Sequence, residues 1–134
     1  MLITFLAFQV NLKSCDPSKN ARQSSSIQIQ GLWTGTFTAE QGAKGVFYFS
    51  IKPNGDILIE NNYKGVLRVA NGKWNIVGNT FTCSGTYFYG SPENIGTVTE
   101  HTAYFDNKEN LMSGVWKNIY PNNDTGTFTM TKIQ

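Results

Sequence analysis

The feature that most constrains the fold is an alternation of apolar and polar side chains that runs from Ile29 to the end of the chain. Turn-forming residues interrupt it every eight to twelve positions. Because successive side chains of a β-strand point to opposite faces, this period of two predicts an all-β domain rather than helices. We expect strands at 29–38, 46–52, 57–61, 65–69, 73–77, 80–89, 97–105, 111–119 and 126–132.

Short turn signals join these strands to their neighbours in sequence. Pro53-Asn54-Gly55-Asp56 combines a fixed φ with an Asn-Gly pair, and Asn71-Gly72 and Gly78-Asn79 are two-residue hairpin signals. Successive hairpins form an antiparallel meander, and closing the meander removes its exposed edges. The sequence therefore predicts one all-β domain over 29–134, an antiparallel meander barrel of about eight or nine strands. A chain of 134 residues has no room for a second core.

The alternation also divides the side chains between the two faces of the sheet. We expect the inner face to carry Trp33, Phe37, Phe47, Phe49, Ile51, Trp74, Ile76, Phe81, Cys83, Tyr87, Tyr89, Phe128 and Met130. In the strand at 111–119 two sets fit equally well, either Leu111, Ser113 and Val115 or Met112, Gly114 and Trp116. This ambiguity indicates a bulge near Trp116.

The charge of the chain excludes one class of partner. Lys and Arg total 11 against 9 Asp and Glu, which gives a formal net charge of +2 without a dense basic patch. Binding to nucleic acid depends on many cationic contacts to phosphates. We therefore expect no DNA or RNA partner.

The N-terminus carries an apolar run, at 2–10, that is too short to cross a bilayer and has the length of a signal-peptide core. Leu12-Lys13-Ser14-Cys15 resembles the bacterial lipobox, in which the cysteine is lipidated and becomes the new N-terminus. We expect 1–14 to be a signal peptide, 15–28 a polar, serine-rich flexible tether and Cys15 the lipidation site. The alternative for the apolar run is a buried N-terminal strand or a hydrophobic arm.

The chain contains two cysteines, Cys15 and Cys83, and one histidine, His101. Zinc sites of the usual kind need four ligands at short paired spacings, so we expect no metal and no cofactor. A Cys15–Cys83 disulfide is the alternative to lipidation of Cys15.

The catalytic motifs that we sought are absent from the sequence. His101 follows Glu100 directly, so the two side chains of this strand point to opposite faces. The sequence has no Gly-x-Ser-x-Gly motif, which would present a serine as a nucleophile on a sharp turn. The acidic residues fall mostly at predicted turns. We expect a protein without catalytic residues, and a hydrolase that uses His101 is the second alternative.

Glycines precede aromatic residues repeatedly, at 31–37, 114–116 and 126–132. These segments and the hairpins between them resemble the small lipocalin-like, or calycin-type, β-barrel lipoproteins of Bacteroidetes-type bacteria. The resemblance implies a barrel with an internal pocket, and it implies no named ligand. It also implies a bacterial cell envelope location, exported or lipid-anchored to the outer membrane.

The aromatic residues suggest a function. Three Trp, six Tyr and nine Phe are many for one small core, and Tyr and Trp combine a large rigid area with a polar handle. We expect the barrel to bind a small apolar or amphipathic molecule, or a glycan, in or across its mouth. The expected lining is Trp33, Phe37, Phe49, Trp74, Tyr87 and Trp116. The alternative is a protein-interaction or inhibitor module that uses the outer face and the loops at 90–96 and 120–124.

Overall fold

The computed structural model describes residues 28–120 and 123–134. Every strand pairs antiparallel with its sequence neighbours, and β1 pairs with β8, so the sheet closes into a barrel. The predicted all-β meander barrel is confirmed. Its eight strands are β1 (Gly31–Ala39), β2 (Lys44–Ile51), β3 (Asp56–Tyr63), β4 (Val66–Val77), β5 (Thr80–Tyr89), β6 (Val98–Asp106), β7 (Leu111–Ile119) and β8 (Thr125–Lys132).

One predicted turn is wrong, because the segments 65–69 and 73–77 belong to a single strand, β4. Asn71 pairs with Leu58 on one side and Thr86 on the other, inside the sheet. A Cβ on Gly72 would overlap the carbonyl oxygen of Ser84. This glycine therefore allows two strands to approach closely and does not turn the chain. The turns at Gly55 and Gly78 are confirmed, with positive φ of 92° and 59°.

An irregularity in the sheet lies in β4 and not, as predicted, near Trp116. The register between β4 and β5 shifts between Val69 and Ala70, whereas the pairs of β7 continue without a shift. In β7 the buried side chains are Met112 and Trp116. Beyond the shift Tyr89 is 57% exposed, so its predicted place on the inner face is wrong.

The centre of the barrel is filled by aromatic rings grouped around Phe47. Its ring centroid lies 4.5 Å from that of Phe37, 4.9 Å from His101, 6.1 Å from Phe128 and 6.3 Å from Trp116. Most of these pairs meet edge to face, the arrangement that aromatic quadrupoles favour. The inner face is therefore a packed core over most of its length.

The two ends of the barrel differ. At the first, which we call the closed end, Trp33 Nε1 donates a hydrogen bond of 2.8 Å to the carbonyl oxygen of the fully buried Ile29. The same end holds the C-terminus, where the Leu32 amide donates to the carbonyl oxygen of Gln134 at 2.7 Å. The opposite end, the open end, carries the connections at 40–43, 64–65, 90–97 and 120–124.

The predictions for the signal peptide at 1–14, the lipidation of Cys15 and most of the tether at 15–28 fall outside the described residues. Within 28–120 and 123–134, no helix has the length and apolar character needed to cross a bilayer.

Replacing Gly35 by alanine should destabilise the closure of the barrel. A Cβ at this position would overlap the carbonyl oxygen of Thr129 in β8. We expect Gly35→Ala to lower the free energy of unfolding by about 1–3 kcal/mol. Urea denaturation measures this change, and Thr36→Ala, an exposed neighbour in β1, is the control with an expected loss below about 1 kcal/mol. Equal losses in the two variants would contradict the role of Gly35 in closure.

Candidate functional site

A cavity of about 70 Å³ lies at the open end. Its walls come from six strands, β1, β2, β3, β4, β5 and β7. Two connections complete them, the one between β1 and β2 and the one between β7 and β8. The lining consists of Phe37, Ala39, Gln41, Ala43, Phe47, Asn61, Tyr63, Arg68, Tyr87, Trp116, Asn118 and Asp124. The inner wall is therefore aromatic, and polar side chains are grouped toward the mouth.

A hydrogen bond between two buried polar side chains forms one wall of this cavity. Asn61 Nδ2 donates to the Tyr87 hydroxyl oxygen at 2.6 Å, and the two residues are 5% and 3% exposed. Burial raises the pKa of Tyr87, while the hydrogen-bonding interaction of the phenol with the Thr99 side chain, the charge of Arg68 and the hydrogen bond from Asn61 act in the opposite direction. The phenol thus stays protonated at neutral pH and keeps its hydrogen for donation.

Several buried polar atoms of the lining have no hydrogen-bond partner among the described residues. They are Asn61 Oδ1, Arg68 Nε, Trp116 Nε1 and Asn118 Oδ1. An unsatisfied buried donor or acceptor costs about 1–3 kcal/mol, so native proteins keep few of them. Four such atoms around one small cavity form a wall that can hydrogen-bond a polar molecule.

Arg68 supplies a positive charge to this wall. Its guanidinium carbon lies 5.6 Å from the centroid of the Tyr63 ring, within the range of a cation–π contact. Across the described ranges, the ion pairs are Lys73–Asp56 and Lys117–Glu100, so Arg68 has no carboxylate partner there.

His101 lies deeper in the barrel and is 1% exposed. Its ring is enclosed by Phe47, Phe49 and Phe128, with centroid distances of 4.9, 5.1 and 5.2 Å. Burial lowers the pKa of His101 to about 3, and neither ring nitrogen has a hydrogen-bond partner in the described chain. The neutral imidazole therefore has neither the hydroxyl nor the carboxylate contact that a catalytic triad requires.

Cys83, the cysteine of the alternative Cys15–Cys83 disulfide that lies in the described chain, pairs with His101 across β5 and β6 and is 6% exposed. Burial raises the pKa of this thiol, so it stays protonated and is a poor nucleophile. Cys15, its candidate disulfide partner, lies outside the described residues.

A larger concavity of about 690 Å³ crosses the outer face over β5 to β8. Its walls include exposed threonines and the ion pair between Lys117 and Glu100, whose N–O distance is 3.4 Å. The charged side chains of this concavity are exposed to solvent or form ion pairs, so they leave no unpaired buried charge for a ligand to compensate. The smaller cavity at the open end has the unsatisfied atoms and is the better candidate.

The six side chains expected to line a ligand site occupy different parts of the barrel. Phe37, Tyr87 and Trp116 lie together on the cavity at the open end. Trp33 is fully buried at the closed end, and Phe49 is 1% exposed in the central core. Trp74 is half-buried, and its Nε1 donates to the carbonyl oxygen of Lys52 at 2.7 Å.

Three polar residues of the cavity were not predicted as site residues: Asn61, Arg68 and Asn118. Asn61 could have been found, because it continues the inward series of Ile57 and Ile59 in β3. The alternation does not assign Arg68 to the inner face, because the register of β4 shifts directly after it, between Val69 and Ala70. Within the described part of the chain, no group of three His, Cys, Asp or Glu side chains could hold a metal ion.

Comparison with known proteins finds similar folds and no sequence family. No family model matches the chain, and no curated protein matches it. EF1p2_mFAP2b bound to DFHBI aligns with a TM-score of 0.67 and 16% identity, over 84% of this chain and 98% of that one. The redesigned β-barrel mFAP1 bound to DFHBI gives 0.61 and 18%, over 80% and 97%. A further redesigned β-barrel, b11L5F_LGL, gives 0.60 and 16%, over 81% and 95%. At these identities the similarity concerns the fold.

Burial of His101 should make the protein sensitive to acid. The unfolded chain binds a proton on this residue near its ordinary pKa of 6.5, whereas the folded chain excludes it until about pH 3. The stability that depends on the neutral imidazole is therefore complete above about pH 6.5 and is lost as the pH falls toward 3. For one proton, the free energy of unfolding should fall by at most about 1.4 kcal/mol per pH unit.

Urea denaturation at several pH values between 7 and 3.5 measures this slope. His101→Leu, which cannot bind a proton, should show a shallower slope than the parent over the same window. Parallel slopes in the two proteins would assign the acid sensitivity to the carboxylates alone.

Proposed function

We propose that this protein is a non-enzymatic barrel that binds a small molecule in the cavity at its open end. The observation that carries the proposal is the set of unsatisfied buried polar atoms around an apolar-walled cavity. Such a site combines contact area with a few hydrogen-bonding groups that fix orientation, which is the composition typical of small-molecule sites.

The similar barrels support this proposal, since two of them were solved with the small molecule DFHBI bound. A cavity of about 70 Å³ is smaller than the sites of drug-sized molecules. It therefore suits a small ligand or the polar head of an amphipathic one. The exposed apolar side chains at the same end, among them Phe88, Ile95 and Tyr120, would contact the remainder of a longer molecule.

A second candidate function rests on these same apolar side chains. Phe88, Tyr89, Ile95 and Tyr120 are between 51% and 79% exposed and lie in or beside the connections of the open end. Exposed aromatic groups of this kind are common in protein interfaces. A partner protein that binds at 90–96 and 120–124 would cover them and close the cavity.

The location of the protein is also a proposal. Leu12-Lys13-Ser14-Cys15 supports export to a bacterial cell envelope, with 1–14 as the signal peptide and Cys15 as the lipid-anchored residue. The net charge of the whole chain, +2, is too small to hold the protein at a membrane by itself. Attachment would therefore depend on the acyl chains.

Ligands of the cavity should shift the NMR signals of Asn61, Tyr87 and the Trp116 indole in the ¹⁵N-labelled protein. We expect at least one compound from a panel of short fatty acids, long fatty acids, sterols, haem and oligosaccharides to do so. Ala43→Leu adds volume to a half-buried residue of the lining and should weaken that binding at least tenfold. Ser113→Leu makes a comparable change on the outer face and should leave the affinity unchanged.

The proposal of ligand binding fails if no compound shifts these signals. It also fails if Ser113→Leu weakens binding as much as Ala43→Leu does, because the contact would then lie outside the cavity. A shift confined to Phe88, Ile95 and Tyr120 in the presence of a host extract would favour the interaction module.

Replacement of the proposed anchor gives a separate test. Cys15→Ser cannot be acylated, so we expect it to appear in the soluble fraction of a bacterial host while the parent sediments with membranes. Intact mass spectrometry of the parent should give residues 15–134 plus a diacylglyceryl adduct. Identical fractionation of the two proteins would contradict the lipid anchor.

A further inference from the structure

We infer that the ligand of the open-end cavity carries a single negative charge, as a carboxylate, which Arg68 and Tyr87 bind. This inference rests on the proposed function and adds the chemical class of the ligand.

The charge of the lining favours an anion. Arg68 is the cationic residue among the side chains that line the cavity, and it forms no ion pair with a carboxylate in the described ranges. Asp124, the acidic residue of the lining, is exposed at the mouth. A partly buried guanidinium without a counter-ion is costly, and a single carboxylate compensates it. One arginine does not compensate a dianion equally well.

The structure also fixes the position of the guanidinium before a ligand binds. Tyr63 lies beneath it, and the stem of Arg68 packs where Gly90 has no side chain. Arginine presents its donors as a rigid fork that matches the two oxygens of a carboxylate. These contacts reduce the conformational freedom that Arg68 would lose on binding.

Tyr87 supplies the second donor. Its oxygen accepts the hydrogen bond from Asn61 Nδ2 and the phenol also interacts with the Thr99 side chain, so a carboxylate would compete with Thr99 for the phenolic hydrogen. The charge of Arg68 acts on the same phenol, which places the two donors in one electrostatic environment. A carboxylate oxygen is a suitable acceptor for both.

The dimensions of the cavity limit the rest of the ligand. A volume of about 70 Å³ corresponds to roughly two molecules of liquid water. The walls beside the donors are apolar and include Phe37, Phe47 and Ala43. These features suit a short carboxylic acid, or the head of a longer one whose chain leaves through the mouth.

Butyrate and butyramide test this inference, because they have the same number of non-hydrogen atoms and differ in charge. NMR titration of the full chain at pH 7 would follow Asn61, Tyr87 and the Trp116 indole. We expect butyrate to bind at least tenfold more tightly than butyramide. Arg68→Gln should reduce this preference to less than threefold. Lys44→Gln removes an equal charge from an exposed residue outside the lining and should keep the full preference.

Tyr87→Phe is a second variant, and we expect it to weaken butyrate binding about fivefold with a smaller effect on butyramide. Equal affinities for the two probes in the parent protein would overturn the inference and leave the proposed ligand site standing. Retention of the preference in Arg68→Gln, or displacement of butyrate by an equal concentration of inorganic phosphate, would also overturn it. If neither the two probes nor the wider panel shifts any of the three signals, the proposed function itself fails.

Discussion

Closure of the sheet between β1 and β8 is the constraint on which the rest of the molecule depends. Without it the barrel would have two exposed edges and no interior. Close approach at this seam requires glycine on both strands, because a Cβ on Gly35 would overlap Thr129 and one on Gly126 would overlap Thr38 and the Trp116 ring. Trp116 also lines the cavity. The backbone contact that completes the barrel therefore also sets one wall of the candidate site.

Inside the closed sheet, Phe47 lies between the packed core and the candidate site. Its ring contacts Phe49 and His101 toward the core, and it lines the cavity at the open end. Below this ring the side chains fill the interior and enclose the imidazole of His101, and above it Asn61, Arg68 and Asn118 bury polar atoms that have no hydrogen-bond partner in the described chain. A protein optimised for stability alone would replace Asn61 and Arg68 by apolar residues. Under the proposed function, the presence of these two residues gives up part of the stability for recognition of the ligand.

The sequence was sufficient for the barrel and insufficient for the site. Local signals at Gly55 and Gly78 determine turns, and the alternation of Phe47 and Phe49 determines a face, so both could be predicted from neighbouring residues. Gly72 was misread because glycine serves turns and close strand contacts alike, and only the partner strand distinguishes them. The cavity joins Asn61, Arg68 and Tyr87 from three strands. Their proximity depends on register and on the shift at Val69, neither of which a local pattern contains.

The chain joins the barrel at Gln28, whose carbonyl oxygen accepts a hydrogen bond of 2.7 Å from Lys132 Nζ at the closed end. Any group attached upstream of Gln28 is therefore connected to the closed end of the barrel. The cavity lies at the opposite end, roughly 20 Å away along the strands. If Cys15 is acylated as proposed, the anchor is joined to the closed end, and the expected flexible tether at 15–28 would leave the mouth free to face the surrounding fluid. A mouth that is free to face the fluid would be reached by solutes that diffuse past the membrane surface.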